Sequence, residues 1–303
     1  MEQQYLKILT NILFKGEKTE NRTGVATYKV PPKMIQHDMS EGFPILTTKK
    51  VAWKTLKVEL EGFINGVTSK KWFQDRGCKI WNEWCNPKKV PYDDKPETKE
   101  KMLKEDDLGA IYGWQWRNFN AESRDRQSAS EMFAANERAD IKNPYGVGID
   151  QLKNIVNTLK TNPTDRRMIC SSWNPLQLDQ MALPPCHYAW QVSVRGNKLD
   201  LSWNQRSVDA YLGLPFNITS YGLLLSLLSR ESGFEPGTLT GFLMDVHLYE
   251  NHIDQAIKQL DRNPRNLPTL EFEKWDGIFN WTHKDTNLVG YDPHPAIKAE
   301  VAI

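Results

Sequence analysis

The chain has 303 residues and a formal net charge of +1, with 39 Lys plus Arg against 38 Asp plus Glu. That length suits one enzyme-sized globular unit with ample core, and the near-neutral balance excludes a general basic field for nucleic acid or an anionic membrane, so any anion site must be local. Four cysteines, Cys78, Cys85, Cys170 and Cys186, lack the paired CxxC spacing of a structural zinc site and are too few for a disulfide scaffold, which points to a reducing, cytoplasmic compartment and no metal.

The opening MEQQYLKILTNILFKGEK mixes charges with apolar residues, and no apolar run approaches the roughly 20 residues of a membrane span, so neither secretion nor membrane insertion is expected. Tyr5, Ile8, Leu9, Ile12 and Leu13 recur at helical spacing and predict an amphipathic helix ending near Gly16. A second helix is predicted over Trp53 to Ile64, with Trp53, Leu56, Leu60, Phe63 and Ile64 on one stripe. Glu59 falls on that stripe, so its carboxylate should face the interior. Two polar stretches, 86–107 and 120–146, read as surface insertions flanking the aromatic LGAIYGWQWR. The run from His187 to Asp209 reads as a hairpin turning at Arg195-Gly196-Asn197. Helices are expected over about Asn217 to Ser232 and Leu248 to Leu260. Helices alternating with β-rich segments make the fold α+β or α/β, expected as a single domain over residues 1–303.

Cys186 sits in MALPPCHYAW, where two prolines restrict the backbone just before it and a histidine follows. A lone cysteine is more often a small buried hydrophobe than a nucleophile, but nearby arginines change that balance: Arg22 in ENRTG, Arg166 and Arg167 in TDRRMICSSWNP, and Arg206 in NQRSVD. Arginine's planar fork suits bidentate capture of phosphate. Each alone is an ordinary surface residue, yet a double arginine entering an apolar strand is costly unless its charge has a partner. Asn217, in LGLPFNITSYG, is either a helix N-cap or a reader of a base, since an amide offers both a donor and an acceptor.

The segments NRTG, FPILTTKKVAWK, DRRxxxxSWNP, LPPCH, QRSxDxxLGLPFNI and DVHLYxNH, in this order from about residue 20 to residue 252, resemble thymidylate synthases, as does the terminal AEVAI. The resemblance implies a large mixed β-sheet covered by helices, one sheet face used for dimerisation, and an obligate homodimer whose phosphate site is shared between subunits. It implies dUMP as substrate and 5,10-methylenetetrahydrofolate as co-substrate, with no membrane or nucleic acid required. Cys186 matches the nucleophile that adds to C6 of the pyrimidine. Arg22, Arg166, Arg167, Arg206 and Ser207 match the phosphate set; Asn217 and Gln205 match the base readers, with Asn217 favouring uracil over cytosine; His247 and Tyr249 match the pair on the deoxyribose 3′-hydroxyl. Glu59 matches a buried proton-handling carboxylate, Tyr112 a tyrosine implicated in loss of the C5 proton, and His187 the histidine beside the nucleophile. Trp81, Leu183, Asp209, Gly213 and Phe216 match folate-site positions, Asp209 with a catalytic role as well, and Ile303 ends a tail that closes over the ligands.

Four positions depart from that pattern. Glu61 and Gly62 stand where the family usually reads Leu-Trp after the catalytic Glu-Leu, Trp114 replaces a usual Lys, and Asn204 replaces a usual Tyr. Glu61, Trp114 and Asn204 resemble residues of phage deoxycytidylate hydroxymethylases, in which water rather than hydride ends the reaction. On that comparison the residues lean to hydroxymethylation, giving 5-hydroxymethyl-dUMP, the product suited to a virus that replaces thymine; the alternative is reductive methylation to dTMP. Against the lean, Glu61 lies four residues after Lys57, the spacing of an ordinary exposed helix pair. A non-catalytic member that binds RNA or a partner protein is the remote third reading, opposed by the intact set of Cys186, Glu59, arginines and Asn217.

Overall fold

The computed structural model describes residues 1–21, 23–121 and 148–300. Arg22, Ile303 and all of the second expected insertion beyond Ala121 lie outside them. In chain order come α1 (Glu2–Lys15), β1 (Glu17–Thr19), β2 (Thr27–Val30), β3 (Lys33–Asp38), α2 (Trp53–Ile64), α3 (Lys70–Asp75), α4 (Pro96–Lys104), α5 (Tyr112–Asn118) and α6 (Gln151–Thr161). There follow β4 (Ile169–Ser171), β5 (His187–Arg195), β6 (Lys198–Asp209), α7 (Gly213–Ser232), β7 (Glu235–Tyr249), α8 (Ile253–Leu260), β8 (Thr269–Phe272) and β9 (Thr286–Val289). Packing divides the chain into two compact units: Met1–Ala52 with Trp190–Lys274 and Thr286–Ile303, and Trp53–Ala189 with Trp275–Asp285. No helix among the described residues is long and apolar enough to cross a membrane.

The first unit is built on a mixed sheet in the order β1-β2-β7-β6-β5, with β3 also paired to β7. β7 runs parallel to β6 and antiparallel to β2 and β3. Strand alternation puts Leu199, Leu201, Trp203 and Gln205 of β6 on the buried face with Leu239, Gly241 and Leu243 of β7, where α7 packs. Trp203 stacks on Tyr221 of α7 at 5.2 Å and 9°. Gly241 is required there, because a Cβ would lie 2.5 Å from the Trp203 ring. The opposite face carries Met34, Phe242 and Met244, which are 56%, 41% and 48% exposed.

The N-terminal helix ends at Gly16 and buries Tyr5, Ile8, Leu9 and Ile12 as its periodicity predicts. Its first residue, Glu2, is itself buried: the carboxylate accepts from the backbone N–H and hydroxyl of both Thr47 and Thr48 at 2.7–3.0 Å. Thr47 and Thr48 in turn tie in Gln259, Arg262, Arg265 and His294. Glu2→Ala strands two buried N–H groups and two hydroxyls, and is expected to cost on the order of 2–4 kcal/mol. The urea midpoint checks this; a loss below about 0.5 kcal/mol, the size of an ordinary surface change, would show the cluster to be dispensable.

In the second unit α2 spans the predicted Trp53–Ile64, and the aromatic LGAIYGWQWR supplies α5, every residue of which is buried. Buried Arg117 holds this region together: it is bidentate to Asp150 at 2.8–3.0 Å, donates to the Ile64 carbonyl at 2.6 Å and covers the Phe279 ring. β4 is tied to the start of β5 by the Ser172 N–H on the Tyr188 carbonyl.

Three expectations change. The segment from Leu248 does not begin a helix: β7 runs to Tyr249, because Thr27 and Tyr28 pair with Tyr249 and Leu248, and α8 starts at Ile253. Asn217 is not an N-cap but lies inside α7, whose N-cap is Leu212. The stretch 86–107 is largely exposed yet anchored. It forms α4, buries Met102, receives the Lys70 ammonium on the Met102 carbonyl, and places the Tyr92 hydroxyl on the carbonyls of Cys85 and Ala182.

Candidate active site

The second unit gathers a compact chemical group. Glu59 and Phe63, one turn apart on α2, share a face. The Phe63 ring stacks on Tyr112 at 4.9 Å and 23°, and Tyr112 stacks on His187 at 4.2 Å and 22°. The Tyr112 hydroxyl accepts the backbone N–H of Cys186 at 2.8 Å. This column fixes the loop after the two prolines through its main chain. All four cysteines are described, and Cys186 alone is not buried. Burial pushes Cys78 up to about 12 and Cys85 to about 11, and raises Cys170 well above a normal thiol, so at neutral pH these three are inert.

Glu59 retains some exposure but is closely surrounded by protein. Loss of water raises its carboxyl from 4.5 to about 7, while the Trp81 indole pulls the other way. The Trp81 N–H is near enough to exert that pull but makes no aligned hydrogen bond among the described residues. A carboxyl that titrates near 7 can both give and take a proton at working pH. His187 is driven the opposite way, down to about 3 by burial, so it is neutral and is not a cation that would activate the neighbouring thiol.

The first unit gathers a second group along β6, α7 and the end of β7. Trp203 Nε1–H donates to Gln205 Oε1 at 3.1 Å, and Gln205 Nε2–H donates to the Ser207 carbonyl at 3.0 Å and to Asn217 Oδ1 at 2.9 Å. An indole can only donate and a carbonyl can only accept, so the Gln205 amide cannot be flipped. Its orientation sets that of Asn217, whose NH₂ and one remaining oxygen lone pair have no hydrogen-bond partner among the described residues. Asp209 uses Oδ1 to accept from the Tyr211 and Leu212 N–H groups at 2.9 and 3.1 Å, and its other oxygen has no partner among the described residues. Gly213 lies against Asp209 and Asn217, with half-buried Phe216 a turn further. His247 and Tyr249 meet edge to face at 5.3 Å.

The phosphate candidates are not brought together within either unit. Arg206 and Ser207 are half-buried on β6 of the first unit. Arg166 and Arg167 belong to the second unit and are exposed, Arg167 forming a bidentate pair with Asp165 at 2.6 and 2.9 Å. The burial cost expected for a double arginine therefore does not arise in this chain, because both are exposed and precede β4. Arg22 and Ile303 are outside the described residues, and Leu183 is half-buried in the cysteine loop.

The family model described as "Thymidylate synthase" matches residues 3–303. The chain belongs to the thymidylate synthase family. It is 39% identical to a protein named thymidylate synthase from Mycoplasma pneumoniae, the match covering 99% of this chain and 100% of that one. A second, from Mycoplasma genitalium and of the same name, is 40% identical over the same shares. The chain is accordingly an enzyme of the one-carbon transferase kind, as its resemblance implied.

Within this thymidylate synthase family chain, the four departures have other occupations. Glu61 is not the exposed partner of Lys57. It is buried, two residues and just over half a turn from Glu59, and accepts from the His283 N–H at 2.8 Å and contacts its Nδ1 at 2.7 Å, with Arg76 Nε at 3.9 Å. Gly62 is dictated by packing, since a Cβ would meet the Phe73 ring at 2.3 Å. Trp114 is a fully buried core side chain. Asn204 pairs in register with exposed Phe242, on the sheet face opposite to the one that presents Gln205 to Asn217. Sequence reading missed Phe63, His283, Gln205's donor Trp203, and Asp245. Phe63, on the Glu59 stripe, and Asp245, at the head of the DVHLYxNH segment, carried local signals; His283 carried none.

Proposed function

We propose that the protein catalyses reductive methylation of dUMP to dTMP, with methylenetetrahydrofolate as co-substrate and dihydrofolate as the second product. The observation that carries this reading is that the polar residue expected to hold a terminating water, Glu61, is already occupied by His283, while Asn204 and Trp114 have structural positions. The relatives' shared name points the same way. The lean toward hydroxymethylation is therefore given up for its alternative.

In this reading the Cys186 thiolate adds to C6 of the uracil, and C5 gains the nucleophilic character to take the one-carbon unit that the folate supplies together with a hydride. Glu59, poised near 7, moves protons on the bound reactants; loss of the C5 proton and departure of Cys186 from C6 restore the ring. Asn217 offers its NH₂ to uracil O4 and its oxygen to N3–H. Asp209, with one carboxylate oxygen open among the described residues, and Trp81, beside Glu59, are polar groups suited to the folate. Arg206 and Ser207, with Arg166 and Arg167 of a partner subunit, take the phosphate, and the Met34, Phe242 and Met244 face covers the dimer contact in the cytoplasm.

Incubation with dUMP and methylenetetrahydrofolate, with mass spectrometry of the nucleotide and dihydrofolate absorbance followed in parallel, tests this. The expected product is dTMP in step with dihydrofolate; a hydroxymethyl nucleotide without dihydrofolate would overturn it. Tritium release from 5-tritiated dUMP separates either enzyme from a mere binder. Asn217→Asp replaces the donor to O4 by a second acceptor, suited to the cytosine amino group. It is expected to shift the dCMP-to-dUMP ratio of kcat/KM at least ~10-fold toward dCMP, and an unchanged ratio would remove Asn217 from base recognition.

A further inference from the structure

Asp245 is absent from every motif role assigned above, yet it is the residue that contacts His247 most closely. The His247 ring is buried, and its Nδ1 lies 3.0 Å from the Asp245 backbone carbonyl and 3.1 Å from Asp245 Oδ1. Both are acceptors, so Nδ1 must carry the proton in the neutral ring. Nε2, which has no partner among the described residues, is then an acceptor. The other oxygen of Asp245 is held by Lys29 Nζ at 2.9 Å. Lys29 stands directly opposite His247 in the β2–β7 register, so the ladder itself delivers the ammonium to the carboxylate. Burial alone would raise the Asp245 carboxyl, but the Lys29 hydrogen bond and the adjacent His247 outweigh it, and the group lies below its ordinary value. Asp245 thus stays an acceptor throughout the neutral range.

We infer that Asp245, anchored by Lys29, is a positioning residue that holds His247 in the Nδ1–H tautomer, so that Nε2 selects nucleotides bearing a free 3′-hydroxyl as a hydrogen-bond donor. This rests on the dUMP reading above, but the device itself is a property of the unliganded protein. A 3′-hydroxyl donates to Nε2 without disturbing the ring. A nucleotide lacking that hydroxyl leaves a buried acceptor unpaired, and a ring of the other tautomer would meet the hydroxyl donor to donor and force it to turn.

Two measurements test the inference. Nitrogen-15 spectra of the histidine ring in the free dimer report the His247 tautomer without any ligand, assigned by loss of the signal in His247→Gln. The Nδ1–H form is expected in the native chain, with the Nε2–H form gaining population in Asp245→Asn and in Lys29→Met. A native Nε2–H ring overturns the inference whatever the substrate proves to be. Calorimetric dissociation constants for dUMP and 2′,3′-dideoxyuridine monophosphate form the second arm. The native protein should prefer dUMP, and Asp245→Asn should weaken dUMP about 10-fold while leaving the dideoxy nucleotide within about 2-fold. Equal weakening of both nucleotides would make Asp245 a purely structural residue and overturn the inference. Failure of the methylation reading shows itself separately, as absence of dTMP with the binding preference intact.

Discussion

Cys186→Ala removes turnover, by at least ~10⁴-fold for loss of a covalent nucleophile, while dUMP binding and the melting temperature stay close to native. The substitution leaves in place the Cys186 backbone N–H on the Tyr112 hydroxyl and the two preceding prolines. No other thiol can take over. With Cys78 at about 12 and Cys85 at about 11, their thiolate fractions at neutral pH are of order 10⁻⁵ and 10⁻⁴, and burial bars access. A variant that kept a tenth of the native rate would exclude the covalent route. Steady-state kinetics with calorimetric dUMP binding decide the matter.

Glu59→Gln has an opposite effect on activity and on stability. Catalysis should fall ~10²–10⁴-fold, the range of a lost proton-transfer group. Stability follows from the raised carboxyl: protonated in the fold up to about 7 but ionising from 4.5 when unfolded, the group contributes fully below pH 4.5, and the contribution is lost as pH rises through 7. The native protein should therefore lose up to ~3 kcal/mol from this residue between pH 4.5 and 7.5. Glutamine, which never ionises, should flatten that decline and make the variant the more stable protein at pH 8. Urea denaturation at pH 5 and pH 8 measures both curves. Parallel curves would show that Glu59 titrates as an ordinary carboxylate and would remove it as a proton carrier near neutrality.

Local patterns carried much of the fold and part of the site. The stripe in Trp53 to Ile64 depends only on a 3.6-residue period, so α2 and the inward placement of Glu59 could be read directly; the hairpin at Gly196, with its positive φ of 63°, is likewise a local preference. The error at Leu248 came from the same habit. LYENHIDQAIKQL has helical spacing throughout, but pairing of its first two residues with Tyr28 and Thr27, some 220 positions away, holds them in β7, and a partner that distant leaves no mark on the local period.

Glu61 shows the same limit for function. Spacing alone paired it with Lys57 and chemistry alone offered it to water, whereas the fold hands it to His283, 222 residues on. By itself the sequence determined the family and the inward placement of Glu59, and it singled out Cys186 and Asn217 as the candidates for nucleophile and base reader, because those signals reside in residue types at fixed spacing within short segments. Only the tertiary structure decided which side chains remain available for chemistry. Occupation of a carboxylate or an amide depends on what the opposite strand or a distant loop brings within 3 Å, as His283 does for Glu61, Trp203 and Gln205 for Asn217, and Lys29 and Asp245 for His247.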